Sequence, residues 1–106
     1  MNVITVQELK KKKESDDSFL LIDVREHHEY LVSNIDGHHI PYNDLETRLS
    51  EINDHKYEDV VVMCRSGNTS KDAAQILIDN GFDSVFSLEG GMKKWAKEID
   101  PSLPVI

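Results

Sequence analysis

The chain has 106 residues, 39% of them apolar, and its 20 acidic against 12 basic side chains give a formal net charge of -8. This describes one domain over residues 1–106 with enough apolar material for a two- or three-layer fold, and an acidic surface that argues against a nucleic-acid binder. A single cysteine cannot form an internal disulfide and fits a reducing cytosol, and the longest apolar run, Val60 to Cys64, is far short of a membrane span.

In chain order, Val3 to Val6 reads as a short edge strand, with Thr5 placed to cap a helix over Gln7 to Glu14. MNVITVQEL runs straight into charged residues and is not expected to be a secretory leader, so a cytoplasmic protein is expected. Lys10 to Lys13 reads as a solvated helix face. After the turn Ser15 to Ser18, Phe19 to Ile22 forms a second buried strand ending at Asp23, and DVREHHEYLV leads off it into a helix. In a parallel sheet the carboxyl ends of strands line the ligand crevice, so Asp23 and Arg25 belong near the mouth of any site, most simply pairing with charges and bracing loops.

Asp36-Gly37 makes a turn, and His38, His39 and Ile40 with Pro41 read as a short edge strand. Residues adjacent in a strand or helix point in different directions, so the pairs His27/His28 and His38/His39 do not converge. With no CxxC, HxxxH or HExxH spacing, no metal and no cofactor is called for. Leu45, Leu49 and Ile52 mark a helix of about two turns, followed by a polar stretch from Asn53 to Asp59.

Val60 to Met63 then gives four apolar residues, three of them β-branched, as in the middle of a parallel sheet. The helix that follows carries Ala73, Ala74, Leu77 and Ile78 at helical spacing, with Thr69 or Ser70 as its cap and Asn80-Gly81 at its end. Val85 to Leu88 is a further strand, Glu89-Gly90-Gly91 a tight turn, and Met92 to Glu98 a helix with Trp95 as core anchor. Leu103, Pro104 and Val105 are expected to pack back on the domain. Strands alternate with helices, which predicts an α/β domain with about five strands in a mostly parallel sheet and helices on both faces.

Between the central strand and its helix sits CRSGNT, which carries the lone cysteine. So short a loop, opening a helix, turns backbone N–H groups inward and forms an anion cradle. Gly67 permits positive φ, while Ser66, Asn68 and Thr69 can hydrogen-bond locally, so the loop can curl around Cys64 Sγ. The helix end, Arg65 and Lys71 would then favour the thiolate, the nucleophilic form. The competing reading makes Cys64 a small apolar residue closing a core strand. Position and loop chemistry favour the nucleophile.

Several segments, in order along nearly the whole chain, resemble the rhodanese family of sulfurtransferases in its single-domain form. They are ITVQEL, LLIDVREHHEY, the loop and helix CRSGNTSKDAA, and LEGGMKKWAKEIDPSLPV. The resemblance implies a rhodanese-like domain in which Cys64 accepts a sulfane sulfur from a donor such as thiosulfate. The resulting persulfide passes it to cyanide or another thiophilic acceptor. It further implies that Arg65, Ser66, Gly67, Asn68, Thr69 and Ser70 form the substrate-binding loop, and that a sulfur-relay protein is a natural partner. Thr69 stands where the family commonly has a second loop arginine, and SNIDGHH replaces the usual GHIPGA stretch. Two other functions compete with this one. A catalytically weak interaction or persulfide-carrier module would keep the fold, and a phosphatase or arsenate reductase would use the same cysteine on an oxyanion.

Overall fold

A computed structural model describes residues 2–106 of the chain. Five strands, β1 (Asn2–Ile4), β2 (Phe19–Asp23), β3 (His38–His39), β4 (Asp59–Met63) and β5 (Ser84–Leu88), pair entirely in parallel in the order β1-β5-β4-β2-β3. Four helices accompany them: α1 (Val6–Glu14), α2 (His27–Val32), α3 (Thr69–Asp79) and α4 (Gly91–Glu98).

The centre of the sheet follows from the period of two along β4. Val60, Val62 and Cys64 pack into one core with Ala73, Ala74 and Leu77 of α3, whereas Val61 and Met63 pack into a second core with Leu9 of α1 and Met92 and Trp95 of α4. Both faces are covered, which is why this strand is apolar from Val60 to Met63 instead of alternating. The segment Leu103 to Val105 returns onto the second core, and Ser33 Oγ bonds the carbonyl of Pro104.

At the amino-terminal end of the sheet, Asp59 accepts hydrogen bonds from Lys12 Nζ at 2.8 Å and Ser84 Oγ at 2.7 Å. These two bonds, Lys12 first, hold its carboxyl below the usual carboxylate range.

Differences from the sequence expectation lie at the edges. The first strand stops at Ile4, because Thr5 and Glu8 form a reciprocal capping box that commits Val6 to α1. Ile40 lies outside the two-residue strand β3. The helix expected around Leu45 to Ile52 is a chain of three 3₁₀ segments at Tyr42–Asp44, Glu46–Glu51 and Asn53–His55. Arg48 (φ -113°, ψ 15°) breaks the helical path, and Thr47 Oγ1 takes up the Asp44 carbonyl at 3.0 Å. Leu45 and Ile52 still reach the core. Glu51, bonded by Arg48 and then by His38, is held down to about 2 and ties this segment to β3.

Two arrangements position the carboxyl ends of β2 and β4. The first is the buried pair Asp23–Arg25: Arg25 Nε donates to both carboxylate oxygens at 3.0 and 3.1 Å, and its Nη2 donates to Asp23 Oδ2 at 2.9 Å and to the Ser33 carbonyl at 2.8 Å. The pair thus braces the chain from β2 to the end of α2; a bracing role was expected for each residue, and the structure shows that they pair with each other. The second is the start of α4, where the N–H groups of Met92 and Lys93 donate to the carbonyls of Cys64 and Arg65 at 2.8 and 3.0 Å. Helical N–H groups that lack partners in their own helix therefore grip the loop after β4. The approach is so close that a Cβ at Gly91, whose φ is 57°, would collide with the carbonyl of Cys64 and the backbone of Arg65.

Two substitutions test these braces by urea denaturation. Asp23→Ala leaves the Arg25 guanidinium buried without its counter-charge and is expected to cost about 3–5 kcal/mol. Gly91→Ala adds steric overlap to a positive φ and is expected to cost about 1–3 kcal/mol, with the fold retained.

Candidate active site

Strand β4 delivers Cys64 to the carboxyl edge of the sheet, where its side chain enters the core shared with α3. The residue is 4% exposed, and it forms part of the wall of a pocket of about 290 Å³. Its sulfur accepts two backbone hydrogen bonds, from the N–H of Gly67 at 3.1 Å and from that of Ser70 at 3.3 Å. Ser70 is the second residue of α3, so this bond satisfies one of the donors that every helix leaves unpaired at its start.

The expected caps Thr69 and Ser70 are instead the first two residues of the helix, Asn68 is the residue before it, and no side-chain oxygen caps it. The sulfur takes that role. Ser70 Oγ is thereby left to pair with Ser87 Oγ at 2.7 Å, which links the helix to β5 beneath the loop.

The curl of the loop requires Gly67 at φ 98°, and a Cβ there would lie 3.0 Å from the Gly90 nitrogen. Because the carbonyls of Cys64 and Arg65 are engaged by α4, the opposite N–H ends of these trans peptides face away from that helix. Two fixed N–H dipoles, one from the loop and one from the helix start, thus point at the sulfur.

The loop residues divide into two groups. Arg65 and Thr69 line the Cys64 pocket together with Val24, Arg25, Glu26, Glu29, Tyr42 and Asn43. Ser66, Asn68 and Lys71 instead lie against Ser87, Glu89 and Gly90 in a separate depression on the far side of the loop. Lys71, expected beside the sulfur, is therefore not among the groups that line its pocket. Arg65 Nε donates to the carbonyl of Ile106 and Arg25 is paired with Asp23, so the pocket meets Glu26 and Glu29 with cations that are already engaged.

Tyr42 and Asn43 were missed by sequence reading. Their signal was present, since they follow β3 at the same carboxyl edge, and Tyr42 N–H bonds the carbonyl of Val24 at 3.0 Å.

His39 and His38 serve structure around this site. His39 Nε2 bonds the Arg25 carbonyl at 2.8 Å, and its ring stacks on Tyr30 at 4.4 Å between centroids. Burial, and next the charge of Asp23, push the Tyr30 phenol above its ordinary value, so at neutral pH it donates to the Gly37 carbonyl at 2.9 Å. His38 bonds Glu51, away from the sulfur. Among the described residues no group of three or more His, Cys, Asp or Glu side chains converges as a metal site, and no helix is long and apolar enough to cross a membrane.

Residues 5–98 match the family described as Rhodanese-like domain. The chain is 36% identical over 108 residues to the adenylyltransferase and sulfurtransferase MOCS3-1 of Zea mays, covering 96% of this chain and 23% of that protein. It is likewise 36% identical over 93 residues to the putative sulfur carrier protein YrkF of Bacillus subtilis, covering 87% of this chain and 49% of YrkF. The chain thus spans about a quarter and about half of these two relatives. Among solved structures, a rhodanese-like domain protein from Staphylococcus aureus superimposes with a TM-score of 0.84 at 29% identity, over 100% of this chain and 99% of that one. With its parallel sheet, its loop curled on a lone cysteine and a family match over most of its length, the chain belongs to the rhodanese-like domain family.

Proposed function

We propose that this domain is a sulfurtransferase that carries a sulfane sulfur as a persulfide on Cys64. The observation that carries the reading is the sulfur itself, which accepts the N–H groups of Gly67 and Ser70 while facing a pocket lined by Arg65 and Thr69. With thiosulfate as donor, the Cys64 thiolate attacks the outer sulfur, a new S–S bond forms, and the old one breaks with its electron pair leaving on sulfite. The persulfide anion then yields its outer sulfur to cyanide, giving thiocyanate, or to a thiol, and the thiolate returns. Fixed amide donors suit charge on sulfur at both stages, without reorganisation.

Sulfur transfer and sulfur carriage are the functions named in two of the relatives, which supports the reading for the part that this chain matches. A protein of a sulfur relay is accordingly proposed as donor or acceptor.

A second reading, a persulfide carrier that uses thiosulfate poorly, is favoured by Glu26 and Glu29 on the pocket wall. Two carboxylates there oppose a dianion more than a thiol persulfide. An oxyanion hydrolase fits less well, because Thr69 supplies no cation opposite Arg65 to clamp a phosphate. Hydrolysis of an aryl phosphate is expected to be absent.

Incubation with thiosulfate followed by intact mass measurement is expected to add one sulfur atom, removed by cyanide and never seen in Cys64→Ala. A folded protein that stays unmodified with both thiosulfate and glutathione persulfide would overturn the proposal, whereas modification by the persulfide alone would select the carrier. Thr69→Arg brings a guanidinium to the pocket wall and is expected to raise kcat/KM for thiosulfate by roughly ten- to a hundredfold, the equivalent of a charge-assisted bond of about 1.5–3 kcal/mol. An unchanged rate in the folded variant would refute this account of the wall.

A further inference from the structure

The pocket of Cys64 has a larger neighbour. A groove of about 450 Å³ runs between α4 and the C-terminal segment, and Arg65 borders both. Lys93 and Lys97, one turn apart on the exposed side of α4, complete its rim with Arg65, and Ala96, Leu103 and Val105 provide an apolar floor.

Two features separate this groove from the rest of the surface. The chain has 20 acidic side chains against 12 basic, yet no carboxylate lines the groove and three cations do. Moreover, none of the ion pairs formed among the described residues uses Lys93 or Lys97, whereas Arg65 Nε already donates to the Ile106 oxygen. The charge of the two lysines is therefore available to an outside group.

We propose that this groove docks a short acidic segment of the protein that exchanges sulfur with Cys64, its carboxylates on the lysines and an aliphatic side chain on the floor. The proposal rests on the sulfur-transfer reading and names the kind of partner that reading requires. A small inorganic anion would leave the apolar floor unused, and a polynucleotide would meet the repulsion of a chain with net charge -8. A peptide with a few carboxylates uses both features. Because Arg65 belongs to the groove and to the Cys64 pocket, a segment bound along α4 ends beside the sulfur, so docking raises the effective concentration of a thiol carried on it.

The test uses glycine-spaced synthetic peptides that end in cysteine and carry two aspartates and a leucine, two lysines and a leucine, or glycine alone. As acceptors from persulfidated protein at low salt, the acidic peptide is expected to react about tenfold faster than the lysine peptide. Lys93→Glu with Lys97→Glu, or about 0.5 M salt, is expected to bring that ratio close to one. The rate with the glycine peptide should change less than about twofold, which also verifies that the variant is intact.

Binding is measured separately by amide chemical shifts on the Cys64→Ala protein, where the acidic peptide is expected to move resonances of α4 and residues 101–105. This arm does not involve sulfur chemistry, so a protein that never forms a persulfide sinks the function reading while docking is still decided here. Equal rates for the two charged peptides, a preference that survives the double variant, or shifts reproduced equally by succinate or a short oligonucleotide would overturn the proposal.

Discussion

Helix α3 starts with N–H groups that no helical carbonyl can reach, and the one on Ser70, together with the N–H of Gly67, is directed at Cys64 Sγ. A hydroxyl or carboxylate usually fills this position. Sulfur in that place couples two properties that are separate in most domains. The donor at the start of the helix is also a donor to the sulfur, so the fold and, on the sulfur-transfer reading, the chemistry draw on one set of hydrogen bonds. On the sulfur-transfer reading, an added sulfane atom moves the charge outward while these donors stay fixed by the helix.

The remaining elements keep that coupling in register. Strand β4 is held between β2 and β5 and covered on both faces, so the cysteine at its end has little freedom of position. The start of α4 grips the loop from the other side through the carbonyls of Cys64 and Arg65, and Gly91 allows the two backbones to meet. The Asp23–Arg25 pair performs the equivalent task for β2. These groups border the site, yet their geometry is that of supports.

Much of this was legible in the sequence. The unbroken apolar run of β4 required cover on both faces, the spacing of Ala73, Ala74 and Leu77 placed α3 on one of them, and Thr5 announced the start of α1. The place of Asp23 and Arg25 at the end of a parallel strand pointed to a bracing role, and the structure adds that each is the other's partner. What could not be read depends on contacts between distant segments. The sequence shows Gly90-Gly91 as a turn, but the grip of α4 on the Cys64 loop arises only when β5 lies beside β4. Local propensity likewise could not tell an α-helix from 3₁₀ turns around Leu45, since both bury the same side chains. The depression in which Lys71 lies is completed by Ser87, Glu89 and Gly90, residues that meet the loop only in the folded sheet.

Trp95 packs in the second core, 6% exposed, on the helix that both grips the loop and borders the cationic groove, and it is the chain's sole tryptophan. The indole emission of this protein therefore arises from one position with no averaging over sites. Its wavelength and quenching report the environment of α4 alone, which makes the unlabelled domain its own optical probe of that helix.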